Sequence, residues 1–222
     1  MKITIIYDNT TCREDLVADW GFACLVEAHG RRILFDTGAK GSILLDNMQR
    51  LGIEVSGIEE VFISHDHWDH TGGLADLLAM HPVPVHLPST MSEAIGAKGS
   101  HRVCGPTELH EGIFSTGTLE GIEQSLAVRT EKGIVVIVGC SHPGVERILE
   151  AAAGFGRPYA LIGGLHGFDR FEAVKDLEII CPTHCTGHGK EIARLYPEKF
   201  LAGGAGKVLV FRSGREVSAQ DA

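Results

Sequence analysis

No apolar run in this 222-residue chain approaches the roughly 20 residues needed to cross a bilayer as a helix, so no membrane partner is expected. The N-terminus, Met1-Lys2-Ile3-Thr4-Ile5-Ile6-Tyr7-Asp8, lacks the long apolar region and cleavage site of a secretory signal. It reads as a first strand, and the expected location is cytoplasmic. Basic clusters are missing too: the formal net charge is −9 and the lysines and arginines are scattered, which argues against nucleic acid as a partner. A small anionic substrate held by a local basic group or a cation is still compatible. The six cysteines, Cys12, Cys24, Cys104, Cys140, Cys181 and Cys185, are too sparse for a disulfide scaffold and are expected as reduced thiols. Internal repeats are absent, and the only biased segment is a short polar C-terminus.

What is present is ordinary globular material, 44% hydrophobic and 22% charged, of a length that suits one domain over residues 1–222. Lys2–Tyr7, Phe22–Ala28 and Arg31–Phe35 are rich in β-branched and aromatic residues, with His29-Gly30 as a hairpin turn. Helical spacing marks Ser42–Leu51, Thr71–Met80, Gly144–Ala153 and Lys190–Leu195, with a helical turn at Phe171–Asp176. Further strands are predicted at Val61–Ile63, Val83–Leu87, Leu126–Arg129, Gly133–Val138, Tyr159–Ile162, Leu177–Cys181 and Lys207–Phe211. Between Ser89 and Gly121 the pattern weakens, leaving a short helix around Met91–Ala97 and irregular strands. Periodicity alone supports an α/β domain.

Twelve histidines are unusual, and their placement says more than their number. His65-Asp66-His67-Trp68-Asp69-His70 puts four potential ligands into six residues, between an apolar strand and Thr71-Gly72-Gly73-Leu74. In an extended segment His65 and His67 point the same way and can grip one cation. Asp69 and His70 sit where the chain enters the next helix and can address a second position nearby. Imidazole and carboxylate both suit zinc, and a water on such a cation ionises near neutral pH. A lone His-x-His reads equally well as a solvated turn; this denser pattern does not.

The segment resembles the diagnostic motif of the metallo-β-lactamase superfamily. The whole chain is similar to its branch of dihydropterin ribofuranosyl-aminobenzene phosphate synthase-like proteins. Also matching are Gly21-Phe22, Ile33-Leu34-Phe35-Asp36-Thr37-Gly38, Gly139-Cys140-Ser141-His142-Pro143-Gly144, Ile162-Gly163-Gly164-Leu165-His166 and Pro182-Thr183-His184-Cys185-Thr186-Gly187. The resemblance implies an αββα four-layer sandwich, two mixed β-sheets flanked by helices. It implies a first metal site of His65, His67 and His142 and a second of Asp69, His70 and His184. His142 and His184 each follow a strand, where distant ligands converge at one rim of a sheet. Most superfamily members carry a bridging Asp where His166 stands, so a single ion or an asymmetric pair becomes compatible. His166 is expected as a metal ligand, a substrate donor or a proton donor; Asp169 falls three positions late.

Asp36 ends a strand and reads equally as a turn cap or as a residue orienting a ligand from beneath. Cys140, Cys181 and Cys185 are expected as small buried thiols. No function is assigned to His29, His81, His86, His101 or His110, and Lys98 and Arg102 are candidates for an anionic substrate. The expected cofactors are one or two divalent metal ions, Zn2+ first, with Fe or Mn as alternatives. The expected activity is metal-assisted hydrolysis of a phosphoester, lactone or other carboxyl ester or thioester bond in a small molecule, with Asp69 and His166 as catalytic groups. The alternatives are a pterin-pathway synthase, an iron-dependent thiol dioxygenase on the same fold, and a non-catalytic metal-binding protein.

Overall fold

The computed structural model describes residues 1–94, 96–212 and 217–221. The first sheet takes its strands from both ends of the chain. They are β1 (Lys2–Tyr7), β2 (Ala23–Ala28), β3 (Arg31–Phe35), β4 (Glu60–Phe62), β5 (Pro84–Pro88), β6 (Gly99–Val103), β13 (Lys207–Phe211) and β14 (Val217–Asp221). Their spatial order is β14-β13-β1-β2-β3-β4-β5-β6, antiparallel as far as β3 and parallel from β3 to β6. The second sheet holds β7 (Thr107–His110), β8 (Ile113–Ser115), β9 (Leu126–Thr130), β10 (Gly133–Val138), β11 (Pro158–Gly164) and β12 (Ile179–Thr183). It is ordered β12-β11-β10-β9-β8-β7, with its parallel part at β10, β11 and β12.

Successive strand side chains point to opposite faces, and here both faces are apolar because both are covered. Val26, Phe35 and Phe62 meet Val128, Val135 and Ile162 between the sheets. Their neighbours Leu25, Leu34 and Val61 instead pack outward on Leu44 and Met48 of α1 (Gly41–Arg50) and Leu77 of α3 (Leu74–Met80). On the other side Val136, Leu161 and Ile180 pack on Ile148 and Ala152 of α4 (Val145–Ala153) and Ile192 of α5 (Gly189–Leu195). The layers run helix, sheet, sheet, helix: a metallo-β-lactamase fold of α/β class, as expected.

Three local readings change. The helix predicted at Thr71–Met80 is two pieces, α2 (Trp68–Thr71) and α3, separated by Gly72-Gly73. A Cβ on Gly72 would lie 2.1 Å from the Ala39 carbonyl oxygen, and one on Gly73 2.4 Å from that of Thr37, so backbone contact there displaces any side chain. No helix forms among the described residues of Met91–Ala97; Ile95 lies outside them, and Gly96 turns the chain with φ of 89°. The supposedly irregular stretch carries three ordered strands, β6, β7 and β8.

Candidate metal centre

The parallel strands of both sheets end at one rim, where the polar loops that follow them gather. Asp36 follows β3, His65 follows β4, Cys140 and His142 follow β10, His166 follows β11 and His184 follows β12. α2 delivers Asp69 and His70. Four non-glycine residues here adopt left-handed backbone: Asp36 (φ 54°), Ser141 (61°), His166 (45°) and His184 (45°). Such conformations cost about 1–3 kcal/mol each and persist only where the surroundings impose them.

The expected first group assembles. His65, 1% exposed, sets Nε2 3.0 Å from Nδ1 of His67. The His142 ring lies 4.8 Å from that of His65 and 4.9 Å from that of His67, centroid to centroid. The second group assembles beside it: the His70 and His184 rings are 5.0 Å apart. Asp69 Oδ2 lies 3.2 Å from His184 Nε2 and 4.0 Å from His70 Nε2. Between the groups stands Cys140, its Sγ 3.2 Å from His70 Nε2. Ligand atoms of His65, Cys140 and His142 all fall within 4.8 Å of one another, as do those of His70, Cys140 and His184. The thiol read as filler therefore occupies the middle of the site.

The neighbours fix which ring nitrogens are free. Ser64 Oγ donates to Asp36 Oδ2 at 2.7 Å, so it can only accept from Nδ1–H of His65, 2.9 Å away. Asp36 Oδ2 also accepts from His70 Nδ1 at 2.7 Å. Asn9 Oδ1 accepts from His184 Nδ1 at 3.0 Å, and the amide is oriented because its Nδ2 donates to the His184 carbonyl. In each imidazole the proton is drawn to Nδ1 and the Nε2 lone pair faces the others. Nε2 of His142 and of His184 are buried without a hydrogen-bond partner. A convergent set of unprotonated, orphaned imidazole nitrogens is what a transition-metal cation requires.

Electrostatics point the same way for three of the four rings. Burial, reinforced by the neighbouring rings, pushes His65 far below the usual histidine range and lowers His142 and His184 to about 4, so these rings stay neutral. For His70, burial disfavours the charge, but the Asp36 carboxylate outweighs it and the net direction is upward. Burial would raise Asp69; the adjacent imidazoles and the Trp20 Nε1–H donating at 2.8 Å outweigh it, keeping it a carboxylate.

Beneath the rim lies a residue that sequence reading missed. Glu123 is fully buried, and its Oε1 accepts from the backbone N–H groups of Gly139, Cys140 and Ser141 at 3.0, 3.0 and 3.1 Å. Its Oε2 accepts from that of His142 at 2.9 Å. Burial raises its pKa while these donors oppose the rise. Gln124 bonds from its backbone to the Ser64 carbonyl and from its side chain to that of Ile63. Glu123-Gln124 thus fastens the His142 loop to the His65 loop. Asp8 does the same for His184, accepting its backbone N–H at 2.8 Å; burial pushes Asp8 up to about 6.

His166 reaches the rim, 5.2 Å from His142 between ring centroids, and, like His67 and Asp69, it lies outside the two tightest groups of ligand atoms. It lines a shallow pocket of about 270 Å³ with Ser141, Gly144, Phe168, Asp169 and Arg170. Asp36 is the orienting residue rather than only a turn cap. Asp66 is exposed, and Arg102 Nε donates to the Ser92 carbonyl at 3.0 Å.

The Metallo-beta-lactamase superfamily profile matches residues 21–189. The chain is 30% identical to the 7,8-dihydropterin-6-methyl-4-(β-D-ribofuranosyl)-aminobenzene-5′-phosphate synthase of Methanocaldococcus jannaschii, over 86% of this chain and 88% of that one. It superimposes on the structure of Tm1679, described as a metal-dependent hydrolase of the β-lactamase superfamily, with a TM-score of 0.78 and 26% identity, covering 96% of this chain and all (100%) of that one. The fold also matches YhfI of Bacillus subtilis, with a TM-score of 0.68 at 14% identity, over 93% of this chain and 98% of that one. By matched length, sequence identity and fold, the chain belongs to the metallo-β-lactamase superfamily.

Proposed function

We propose that the chain is a metal-dependent hydrolase acting on a phosphoester, lactone or other carboxyl ester or thioester bond of a small molecule. The carrying observation is the convergence of the Nε2 lone pairs of His65 and His184, fixed by Ser64 and Asn9, with the buried, unpartnered Nε2 of His142. His65, His67 and His142 would hold one divalent cation. Asp69, His70 and His184 would hold a second, with Cys140 reaching both; zinc is the ion these donors suit best. When bound, such an ion acidifies water and polarises the attacked carbonyl or phosphoryl group. Asp69, held as a carboxylate with Oδ2 at the rim, is the proton acceptor. His166 lines the pocket and would donate to a leaving group. Trp20 holds Asp69 by its indole N–H, and Trp68, 64% exposed, lies on the open side of α2.

A second reading, a synthase of the pterin pathway, is favoured by the relatedness to the Methanocaldococcus jannaschii enzyme. Metal analysis of the purified chain, then screens on phosphodiesters, lactones and thioesters before and after chelation, tests both. Ester turnover lost with the metal and restored by Zn2+ supports hydrolysis. A fully metallated sample inert to all three classes but condensing a pterin precursor would move the assignment to the synthase. A chain that takes up no transition metal would end both.

A further inference from the structure

A second donor cluster lies away from the rim. The register aligns Phe62 with His86 and His86 with His101 across β4, β5 and β6, so His86 and His101 stand side by side. Glu60, two residues before Phe62, shares its inward face. From the opposite sheet β7 presents His110 to the same spot. Glu60 Oε2 lies 2.5 Å from His86 Nε2, and Oε1 lies 2.6 Å from His110 Nε2. The ligand atoms of all three fall within 4.8 Å of one another, and the His101 ring is 5.5 Å from that of His86. Glu60 and His86 are buried, 7% and 8% exposed, whereas His110 is partly open to solvent. Among the described residues this is the one such group outside the rim.

We propose that Glu60, His86 and His110 form a structural divalent-cation site of zinc type, with His101 or water in the fourth position. Two imidazoles and a carboxylate are ordinary zinc donors, and closed sites of this kind stabilise a fold. The Glu60 carboxylate is buried between the sheets, and a cation held beside it would offset its negative charge. Its three ligands come from separate strands in two sheets, so the ion pins the edge strand β7 to the inner face of the first sheet. A purely hydrogen-bonded Glu–His–His bridge is the competing account.

The test uses the full chain equilibrated with micromolar Zn2+ and desalted. His110→Gln, at the partly exposed position, is expected to carry one equivalent of zinc less than the parent while keeping its far-ultraviolet circular dichroism. The parent loaded with Co2+ is expected to show four-coordinate visible bands that weaken in this variant. Should the variant misfold, crystals of the parent in Zn2+ decide: an anomalous peak between Glu60, His86 and His110 supports the site. Equal stoichiometry in parent and folded variant, or no such peak, overturns it. The outcome does not depend on whether the rim catalyses hydrolysis.

Discussion

Exchanging Glu123 for glutamine isolates the role of the carboxylate beneath the rim. The amide oxygen can take over the three bonds that Oε1 receives from Gly139, Cys140 and Ser141, but the –NH2 then faces the His142 N–H, donor against donor, across a former 2.9 Å bond. One orphaned buried N–H costs about 1–3 kcal/mol. The three retained bonds lose their charge assistance, roughly half their strength. Relief of the buried charge, visible in the raised pKa of Glu123, offsets part of this. The expected net loss is therefore about 2–4 kcal/mol, severe but survivable for a typical domain stability of about 5–15 kcal/mol. Urea unfolding should show a lower midpoint at unchanged slope. Because His142 hangs from the same loop, zinc affinity at the rim should fall by about 10–100-fold. A variant within about 0.5 kcal/mol of the parent, the ordinary surface range, and with unaltered zinc affinity would refute the claim that this carboxylate holds the loop.

Asp36→Asn should leave the fold intact but weaken zinc binding by about 10–100-fold, since the group fixing the His70 tautomer is lost; titration calorimetry checks this. Gly163→Ala meets both a φ of 128° and a Cβ placed 2.0 Å from the Val138 carbonyl oxygen, so a loss above about 3 kcal/mol is expected in denaturant unfolding. Burial, then Asp19, raises the pKa of Tyr7. The folded chain therefore keeps this proton more tightly than the unfolded one, and the associated stability is whole below about pH 10 and lost as pH rises through the higher folded value. Parent stability should fall more steeply above pH 10 than that of Tyr7→Phe, and parallel curves would exclude the effect.

The histidines of the rim were legible because two local signals coincide: close spacing at 65–70 and position just past a strand at 142 and 184. Layer order followed from the family likeness; alternation alone gave only the class, since strands buried on both faces lose their polar periodicity. Glu123 was invisible because its partners are backbone N–H groups, which leave no residue-type pattern. Cys140 was ambiguous for a different reason: a buried thiol looks the same in sequence whether it fills space or meets a histidine. Glu60, His86 and His110 come together only through strand register, which no single segment displays. Lys98 and Arg102 were weighed as anion contacts by charge alone, and the hydrogen bond of Arg102 to Ser92 shows how little charge says about direction.

The rim draws Asp36, His65, His67, Asp69 and His70 from one half of the sandwich and Cys140, His142, His166 and His184 from the other. Neither half alone owns a complete set of donors. During refolding, secondary structure can return in both halves before they dock, yet the colour of a cobalt-loaded rim should appear only after docking, making the ion a reporter of the last assembly step.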